Sequence, residues 1–267
     1  MYQQEVDTSV PSIARTYDAA LGGKDNFEVD REALRTLQEV APDLTRLTWA
    51  NRMLLTRFVS YLAARTGITQ ILDVGAGLPT MQNTHEIAQR WNSKTHVVYV
   101  DNDPAVNAYG RALLEDNVQT WFATADLTEP EELFETKEVS KLDLDQPIAL
   151  IQCATLMHLD DERDPWDIMR RYVNLLPSGS YVAISHGYNP ADGGAEQQRA
   201  EELEHQYLNT GFKSGRFRTY DEVLRLFDGL ELVEPGVVPF EDWWPAGPRL
   251  EEPGVERFGV GGMARKP

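Results

Sequence analysis

Residues 71–79, ILDVGAGLP, decide the fold of this chain. The first four are apolar except for Asp73, which is typical of the end of a buried strand. The segment 75–77, Gly-Ala-Gly, then predicts a sharp turn, and residues 84–91 predict a helix. A strand, a glycine turn and a helix in this order open a nucleotide-binding unit, although a Gly-x-Gly turn also occurs in ordinary strand–helix connections.

The turn departs from the dinucleotide fingerprint at its third glycine. Thr80 stands in that position, and Pro79 has no N–H to offer a phosphate. Loops that bind a pyrophosphate are rich in free N–H groups. The turn therefore favours an adenosine ligand without a diphosphate.

Acidic residues follow the next two predicted strands. Residues 96–100, HVVYV, form a β-branched and aromatic strand that ends at Asp101, where a carboxylate can accept hydrogen bonds from ribose hydroxyls. Asp101 could instead cap the following helix, but Asp103 and Pro104 already supply a helix start. Asp126 follows the strand-like run 120–125 and could bind an adenine amino group or cap a turn.

Composition excludes several classes of protein. The 267 residues carry a net charge of −18, which disfavours nucleic acids as partners. No apolar run is long enough to span a membrane, and the first residues do not form a signal peptide. Cys153 is the single cysteine, which predicts packing rather than a disulfide and fits a reducing cytoplasm. The histidines have no metal-ligand spacing and Gly-x-Ser-x-Gly is absent, so we expect no metal site and no hydrolase elbow.

The middle of the chain alternates between strands and helices. This alternation predicts a doubly wound parallel α/β sheet that binds ligands at the carboxyl ends of its strands. The predicted strands are 68–74, 96–100, 119–124, 147–153 and 180–185, and the predicted helices are 80–91, 104–116, 129–136 and 163–176. Helices are also predicted at 12–21, 28–40, 49–65, 195–210 and 219–227, and two final strands at 230–233 and 258–264.

We interpret the chain as one domain with four parts. They are a helical N-terminal cap (10–66), a ligand-binding core (67–186), a lid insertion after the fifth strand (187–217), and a C-terminal helix with antiparallel strands (218–267).

Two stretches outside the alternation are candidates for contact with a ligand. Residues 21–27, LGGKDNF, place two glycines beside four polar or aromatic side chains, which indicates either a loop close to a ligand or a helix end followed by an N-cap. Near the C-terminus, Phe240, Trp243 and Trp244 form either a satellite of the core or one wall of a pocket.

These residues resemble a known family. Asp73-x-Gly-x-Gly77 with Asp101 and Asp126 resembles class I S-adenosylmethionine-dependent methyltransferases, and the whole pattern is similar to the actinobacterial S-adenosyl methyltransferase family once catalogued as a domain of unknown function, DUF574. The match runs from about residue 10 to the end. Its motifs are ARTYD (14–18), LGGKDNF (21–27) with Asp30-Arg31, Asn51-Arg52, LDVGAGLPT (72–80), Asn83 with His85, YVDNDP (99–104), Ser185-His186, and FDGL (227–230) through Pro235-Gly236. Two departures are mild: Ala76 stands where the family often has Thr, and 262–267, GMARKP, varies the usual Gly-Arg-Lys-Pro ending.

The resemblance implies a Rossmann-like, seven-stranded class I methyltransferase sheet whose last strand is antiparallel. It implies S-adenosyl-L-methionine as cofactor, S-adenosyl-L-homocysteine as product, and a small-molecule acceptor from specialised, or secondary, metabolism. Among characterised relatives, such acceptors include indole carbons of tryptophan-derived compounds. For the cofactor it implies Asp73, Gly75 and Gly77 at the methionine end, Asp101 and Asn102 at the ribose, and Asp126 and Leu127 at the adenine, and we add Leu78, Lys24 and Asn26 as further contacts.

The resemblance leaves the acceptor side open. His158, just after the fourth strand, and Asp25 and Tyr17 in the cap are candidates for a general base, because a carbon or hydroxyl acceptor must lose a proton. His158 could equally be a packing residue on the helix after strand four. The candidates for holding an aromatic acceptor are Phe27, Trp243 and Trp244.

Two other functions are considered on the same residues. One is a nicotinamide-dependent oxidoreductase, and the other is a cofactor-binding protein without catalysis.

Overall fold

The sheet follows the predicted alternation in the computed structural model, which describes residues 6–80, 82–114, 117–244 and 257–267. The strands are β1 (Gln70–Val74), β2 (His96–Asp101), β3 (Thr120–Thr124), β4 (Ala149–Cys153), β5 (Tyr181–Gly187), β6 (Glu231–Leu232), β7 (Val238–Pro239) and β8 (Gly259–Arg265). The helices are α1 (Ile13–Ala20), α2 (Glu28–Val40), α3 (Leu44–Tyr61), α4 (Thr84–Trp91), α5 (Pro104–Leu113), α6 (Pro130–Phe134), α7 (Pro165–Leu175), α8 (Ala195–Asn209) and α9 (Tyr220–Leu224).

The strand order is β3-β2-β1-β4-β5-β8-β6, and β7 pairs with β8. Strands β1 to β5 pair in parallel, whereas β8 runs antiparallel to β5. This order confirms the predicted class I methyltransferase sheet with its antiparallel last strand. The sequence did not predict β7, because two residues are too short to show a periodic pattern.

Burial on both faces explains why the central strands are almost continuously apolar. All five residues of β1 are buried, and neighbouring residues face different layers of the core. Leu72 and Leu150 belong to the layer that packs on α7, and Ile71 and Ile151 belong to the layer that packs on α3. The alternation of side chains along a strand sends successive residues to opposite faces.

Several helices begin or end differently from the prediction. Helix α3 begins at Leu44 rather than at residue 49, and it continues through a π-turn over Leu62–Thr66 to Gly67. Helix α4 begins at Thr84, which agrees with the prediction of 84–91 and not with the longer range 80–91, because Asn83 and Glu86 form a capping box there. The predicted end of the fifth helix, at residues 115–116, lies outside the described residues.

Helices α1 to α3 precede the sheet: α1 lies over the carboxyl ends of its strands, whereas much of α3 packs against one face of the sheet. Polar contacts hold α1 in place: the buried Arg15 Nε donates to Asp30 Oδ2 at 2.9 Å, and Ser12 Oγ donates to Asp103 Oδ2 at 2.6 Å. Helix α8 shares a third apolar cluster with α2, which includes Leu37 and Leu203. Within the described ranges, no helix combines the length and apolar character needed to cross a membrane.

Candidate active site

The turn after β1 fits closely beneath the segment that follows β4. The N–H of Gly75 donates to the carbonyl of Val100 at 2.8 Å, and its φ of 74° lies in the left-handed region. A Cβ at this position would lie 1.9 Å from Cγ2 of Thr155. Only glycine satisfies both the conformation and the contact.

Asp101 joins β2 to this turn. Its Oδ2 accepts from the N–H of Gly77 at 2.9 Å, and its Oδ1 accepts from the N–H of Asp103 at 2.9 Å. Burial raises the pKa of Asp101 above its ordinary value. A carboxylate offers about four lone-pair sites, so it retains acceptor capacity for two hydroxyls of a ligand. Asp103 caps α5 as predicted, through the N–H groups of Ala105 and Val106.

Asp73 is buried at the end of β1. Its Oδ2 accepts from the hydroxyl of Thr84 at 2.6 Å. Burial raises the pKa of Asp73 to about 6, partly opposed by the hydrogen bond from Thr84 and by the nearby charge of Arg52. A cation placed beside a carboxylate that is buried in this way stabilises its ionised form.

A larger cavity of about 440 Å³ lies at the carboxyl ends of β1, β2 and β4, beneath α1. Its lining includes four carboxylates and one guanidinium: Asp18, Asp73, Asp101, Asp103 and Arg52. Such an excess of negative charge attracts cations and repels anions. The cavity therefore suits a cationic nucleoside and disfavours the pyrophosphate of a nicotinamide cofactor.

Most of the residues predicted to bind the cofactor line this cavity. Asp73, Gly75, Gly77, Leu78, Asp101, Asn102 and Leu127 are among them. Asp126 is exposed, and its Oδ1 accepts from the N–H and the hydroxyl of Thr128. Asp126 thus caps a turn, which was one of the two roles considered for it, and its neighbour Leu127 faces the cavity.

The loop between α1 and α2 is organised by Asp18, a residue to which the sequence analysis gave no role. Asp18 Oδ2 accepts from the N–H of Asp25 at 2.9 Å and from Nδ2 of Asn26 at 2.7 Å. A Cβ at Gly23 would lie 1.9 Å from Asp18 Oδ1, which explains a glycine there. The exposed Lys24 and the side chain of Asn26 do not line the cavity, so the structure does not bring these two predicted residues to it.

The structure places Asp25 away from both cavities. The nearby charge of its carboxylate raises the pKa of the Tyr109 phenol on α5. Asp25 thus lies near α5, and the lining of neither cavity includes it. The sequence could not reveal this, because Tyr109 is distant along the chain.

A second cavity, which we call the apolar chamber, has a volume of about 90 Å³ and lies between the cap and β5. Most of its lining is aliphatic or aromatic. The lining residues are Ile13, Thr16, Tyr17, Ala20, Leu34, Leu37, Leu44, Leu47, Thr48, Asn51, Ala154, Met157, His158, His186, Gly187, Tyr207, Phe212, Phe217, Phe240 and Phe258. No Asp, Glu, Lys or Arg among the described residues lines it.

The two cavities meet at a junction of six shared residues: Ile13, Tyr17, Asn51, Ala154, His158 and Phe212. Two of the three predicted base candidates, Tyr17 and His158, are therefore at the junction, and Asp25 is not.

A hydrogen-bonded chain of side chains crosses the junction. Ser185 Oγ donates to Asn51 Oδ1 at 2.6 Å, Asn51 Nδ2 donates to the hydroxyl of Tyr17 at 3.0 Å, and that hydroxyl donates to the carbonyl of Thr48 at 3.3 Å. Burial raises the pKa of Tyr17 to about 12, so its phenol is neutral at physiological pH. Asn51 is quoted in a family motif, but its part in this chain emerges only from the fold.

His158 lies in a short 3₁₀ turn (Leu156–His158) rather than on the helix after β4. Its Nδ1 is 3.1 Å from Oγ of Ser214. Burial lowers the pKa of His158 to about 4, so the imidazole is neutral above pH 5. When Nδ1 donates to Ser214, the lone pair of the ring lies on Nε2.

A buried arginine holds the turn that carries His158. Arg218 donates to the carbonyls of Leu156 at 3.2 Å and Leu159 at 2.8 Å, and its Nη1 lies 2.9 Å from Nε2 of His186. Burial, with the nearby charge of Arg218, lowers the pKa of His186 to about 3. His186 is therefore a neutral wall of the apolar chamber.

The aromatic residues predicted to hold an acceptor lie elsewhere. Phe27 is exposed, with the guanidinium of Arg15 over its ring at 5.3 Å. Trp243 is fully buried against Phe58 and Tyr61, and Trp244 is half exposed. Trp243 therefore packs in the core, which was one of the two alternatives for this aromatic segment. Phe240 is the residue of the segment that lines the chamber.

Neither a metal nor a reactive thiol marks the site. The described part of the chain contains no group of three or more His, Cys, Asp or Glu that could hold a metal ion. Burial raises the pKa of Cys153 to about 12, so the thiol is protonated and unreactive at neutral pH.

Comparisons with known proteins agree with this geometry. A sequence model of the family described as S-adenosyl methyltransferase matches residues 1–267. A crystal structure from Thermobifida fusca YX, of a protein named as a candidate methyltransferase, is 38% identical, covers 97% of this chain and 96% of its own, and gives a TM-score of 0.90.

A DUF574 family protein from Streptomyces avermitilis MA-4680 is 37% identical, covers 98% of this chain and 100% of its own, and gives a TM-score of 0.92. Human N-acetylserotonin methyltransferase, solved with S-adenosylmethionine, is 15% identical over 94% of this chain and 62% of its own, with a TM-score of 0.50, and shares the fold alone. No curated protein sequence matches this chain.

Proposed function

We propose that this chain, which belongs to the S-adenosyl methyltransferase family, methylates a neutral and largely apolar small molecule that enters the apolar chamber. The family uses S-adenosylmethionine as its cofactor, and the chain is an S-adenosylmethionine-dependent methyltransferase. One observation carries the proposal: an acid-lined cavity and an apolar chamber meet at a single junction. That arrangement gives the cationic cofactor and the uncharged acceptor separate compartments with one point of contact.

The larger cavity fits the cofactor by its chemistry. The remaining lone pairs of Asp101, with Asn102, suit the ribose hydroxyls, and Leu127 supplies an apolar surface for the adenine. Asp73 and the turn from Gly75 would hold the methionine end, where a carboxylate can pair with the ammonium group. The larger cavity also disfavours a nicotinamide cofactor, because its four carboxylates would repel the negatively charged pyrophosphate.

The acceptor class follows from the apolar chamber. With no Asp, Glu, Lys or Arg in its described lining and both of its histidines neutral, the chamber would impose a desolvation penalty on an ion. Its volume of about 90 Å³ is below the ~150 Å³ of a cavity that encloses benzene. A ring therefore enters it only in part, and the rest of the acceptor lies in the junction. An indole of a tryptophan-derived compound of specialised metabolism is an acceptor of this kind.

When bound, S-adenosylmethionine supplies an electrophilic methyl group on a sulfonium centre. The chain's own contribution begins with position: the walls at Ile13 and Phe212 would hold the acceptor in line with that group. Fixing two reactants in a productive orientation can contribute about 7–11 kcal/mol. Helix α1 contributes Ile13 and Tyr17 to the lining of both compartments.

His158 is the group at the junction best suited to take a proton from the acceptor. Its neutral imidazole would accept the proton on Nε2, while Nδ1 stays bonded to Ser214. Tyr17 instead serves as a neutral wall, because its hydroxyl is already both donor and acceptor and its pKa is raised to about 12. Asp25 lies near Tyr109 and lines neither cavity, so it is not placed to act on the acceptor.

A paired comparison of acceptors tests the proposal. The purified protein would be supplied with labelled S-adenosylmethionine and with either 3-methylindole, which is neutral, or indole-3-acetate, which is an anion of the same ring system. We expect methyl transfer to the neutral compound and its homologues, at rates well above those with the anion, because only the neutral ring enters the chamber without losing hydration of a charge. Preference for the anion would contradict the assignment of the chamber.

A further inference from the structure

The hydroxyl of Thr16 is buried and has no hydrogen-bond partner. Thr16 lies on α1, is 6% exposed, and lines the apolar chamber. A buried hydroxyl without a partner loses its hydration and gains nothing in return, so native proteins rarely keep one without a reason. A valine of nearly the same shape would avoid that cost.

Most other polar side chains around the chamber are engaged within the protein. Thr48 Oγ1 donates to the carbonyl of Leu44 at 2.8 Å, so it offers a direct comparison with Thr16. Tyr17, Asn51, His158 and His186 each have a side-chain or backbone partner. The fifth remaining polar residue is Tyr207, whose ring packs against His158, Phe212 and Phe217. Among the described lining residues, Thr16 alone has a side-chain oxygen or nitrogen that is buried and without a partner.

We propose that the part of the acceptor that enters the apolar chamber carries one neutral hydrogen-bonding atom, and that Thr16 Oγ1 is its partner. The inference rests on the proposed function, because it takes the chamber to be the acceptor site. It narrows the acceptor from any apolar ring to one with a hydroxyl, a carbonyl or a heterocyclic N–H. Thr16 is then a residue that determines specificity rather than a catalytic residue.

In an apolar site, a polar group without a hydrogen-bond partner costs more free energy than a satisfied hydrogen bond contributes. A threonine hydroxyl can both donate and accept, so it would serve either kind of neutral group. When an analogue without the polar atom binds, the Thr16 hydroxyl stays unpaired and keeps the free-energy cost that it has in the empty protein. Sites with an unpaired polar group of this kind discriminate strongly against such an analogue. A charged group is disfavoured because the described lining supplies no opposite charge.

Phenol and toluene are suitable probes, because they differ only by a hydroxyl in place of a methyl group. Dissociation constants for both would be measured by NMR titration of the protein saturated with S-adenosylhomocysteine. The measured quantity is the ratio of the toluene constant to the phenol constant. We expect Thr16→Val to lower this ratio by about 3- to 10-fold, the value of one net hydrogen bond, and Thr16→Ser to keep it within about 2-fold.

Thr48→Val is the matched control, since it removes the same atoms from a threonine whose hydroxyl is already engaged. It should leave the ratio unchanged. The inference is overturned if Thr16→Val leaves the ratio unchanged, if Thr48→Val lowers it equally, or if neither probe binds to the loaded wild-type protein.

Melting of the ligand-free variants gives a second, independent result. Thr16→Val should melt at or above the wild-type temperature, whereas Thr48→Val should melt below it because a hydrogen bond is lost. An equal fall for both would show that Thr16 is satisfied within the fold and would overturn the inference. Failure of the proposed function looks different: S-adenosylhomocysteine itself would not bind, or labelled methyl would not reach any neutral acceptor.

Discussion

Three glycines with nearly the same backbone conformation allow the turn after β1 to be tested quantitatively. Gly67, Gly75 and Gly77 have φ values of 74°, 74° and 67°. A Cβ would meet nothing within 4 Å at Gly67 or at Gly77, but at Gly75 it would meet Thr155 Cγ2 at 1.9 Å and Thr155 Cβ at 2.9 Å. Changing each glycine to alanine therefore separates backbone strain from steric contact and from contact with a ligand.

The magnitudes follow from these distances. The left-handed conformation costs an alanine about 1–2 kcal/mol, in all three variants alike. Gly75→Ala adds a collision far inside the ~3.5–4 Å of a normal carbon contact, and a rotation of Thr155 does not remove its Cβ. Overpacking of this kind costs about 1–3 kcal/mol. At about 2–4 °C per kcal/mol for a protein of this size, Gly75→Ala should melt about 2–12 °C below Gly67→Ala.

Binding of S-adenosylhomocysteine, measured by calorimetry, completes the series. Gly67→Ala should bind as the wild type does, because Gly67 lies at the opposite end of β1. Gly77→Ala should be as stable as Gly67→Ala and yet bind at least 10-fold more weakly, because Gly77 lines the larger cavity. Equal melting temperatures for Gly67→Ala and Gly75→Ala would refute the steric argument, and full affinity in Gly77→Ala would refute the approach of this backbone to the cofactor.

Three further predictions concern the acids and the imidazole. Asp101→Asn removes a charged acceptor and should weaken binding of S-adenosylmethionine by about 1.5–3 kcal/mol in calorimetry. Affinity for the same cofactor should fall as the pH decreases through about 6, because Asp73, whose pKa is about 6, then gains a proton and loses the charge that attracts a cation. His158→Gln should lower kcat by about 10²–10⁴-fold with an identified acceptor, and the kcat of the wild type, measured with saturating cofactor, should stay constant from pH 5.5 to 9 because the imidazole is already neutral there.

Each of these has its own control. Asp145→Asn removes an equal charge from an exposed loop and should leave cofactor affinity unchanged. Asp73→Asn should bind with an affinity that no longer changes near pH 6, and an unchanged profile would assign the titration to another group. If His158→Gln retains the wild-type rate, positioning alone accounts for catalysis, and a midpoint near pH 7 in the wild-type rate would contradict a buried, neutral His158.

The part of the larger cavity that is formed by β1, β2 and the turns after them was predictable because its signals are local in sequence. A strand, a glycine turn and the acid that ends the next strand occupy fixed places in any doubly wound sheet, so Asp73 and Asp101 could be assigned from residues 71–104. The antiparallel last strand came from the family resemblance rather than from the pattern. Helix ends shifted by a few residues where a cap such as Asn83 decided the start.

The apolar chamber was not predictable, because the chain assembles it from distant segments. Aromatic composition favoured Trp243 as a wall, but the ring is drawn into the core by Phe58 and Tyr61. Asp25 has a suitable residue type for a base, yet its carboxylate lies near Tyr109 and lines neither cavity. A helical pattern shows which side of α1 is buried, but not that Thr16 would face an unfilled space.

The division of charge between the two compartments also bears on the relative affinity for the two forms of the cofactor. Four carboxylates and one guanidinium line the larger cavity, whereas no Asp, Glu, Lys or Arg lines the described part of the apolar chamber. The sulfonium of S-adenosylmethionine carries a positive charge that the thioether of S-adenosylhomocysteine lacks, so the excess of carboxylates favours the substrate form of the cofactor over the product form. Burial raises the pKa values of Asp73 and Asp101 because it destabilises their ionised forms, and a cation beside them would stabilise those forms. The same burial that keeps the chamber free of charge lowers the pKa of His158 to about 4, so the imidazole is neutral and can accept a proton without first losing one, and it is a weaker base than an exposed histidine.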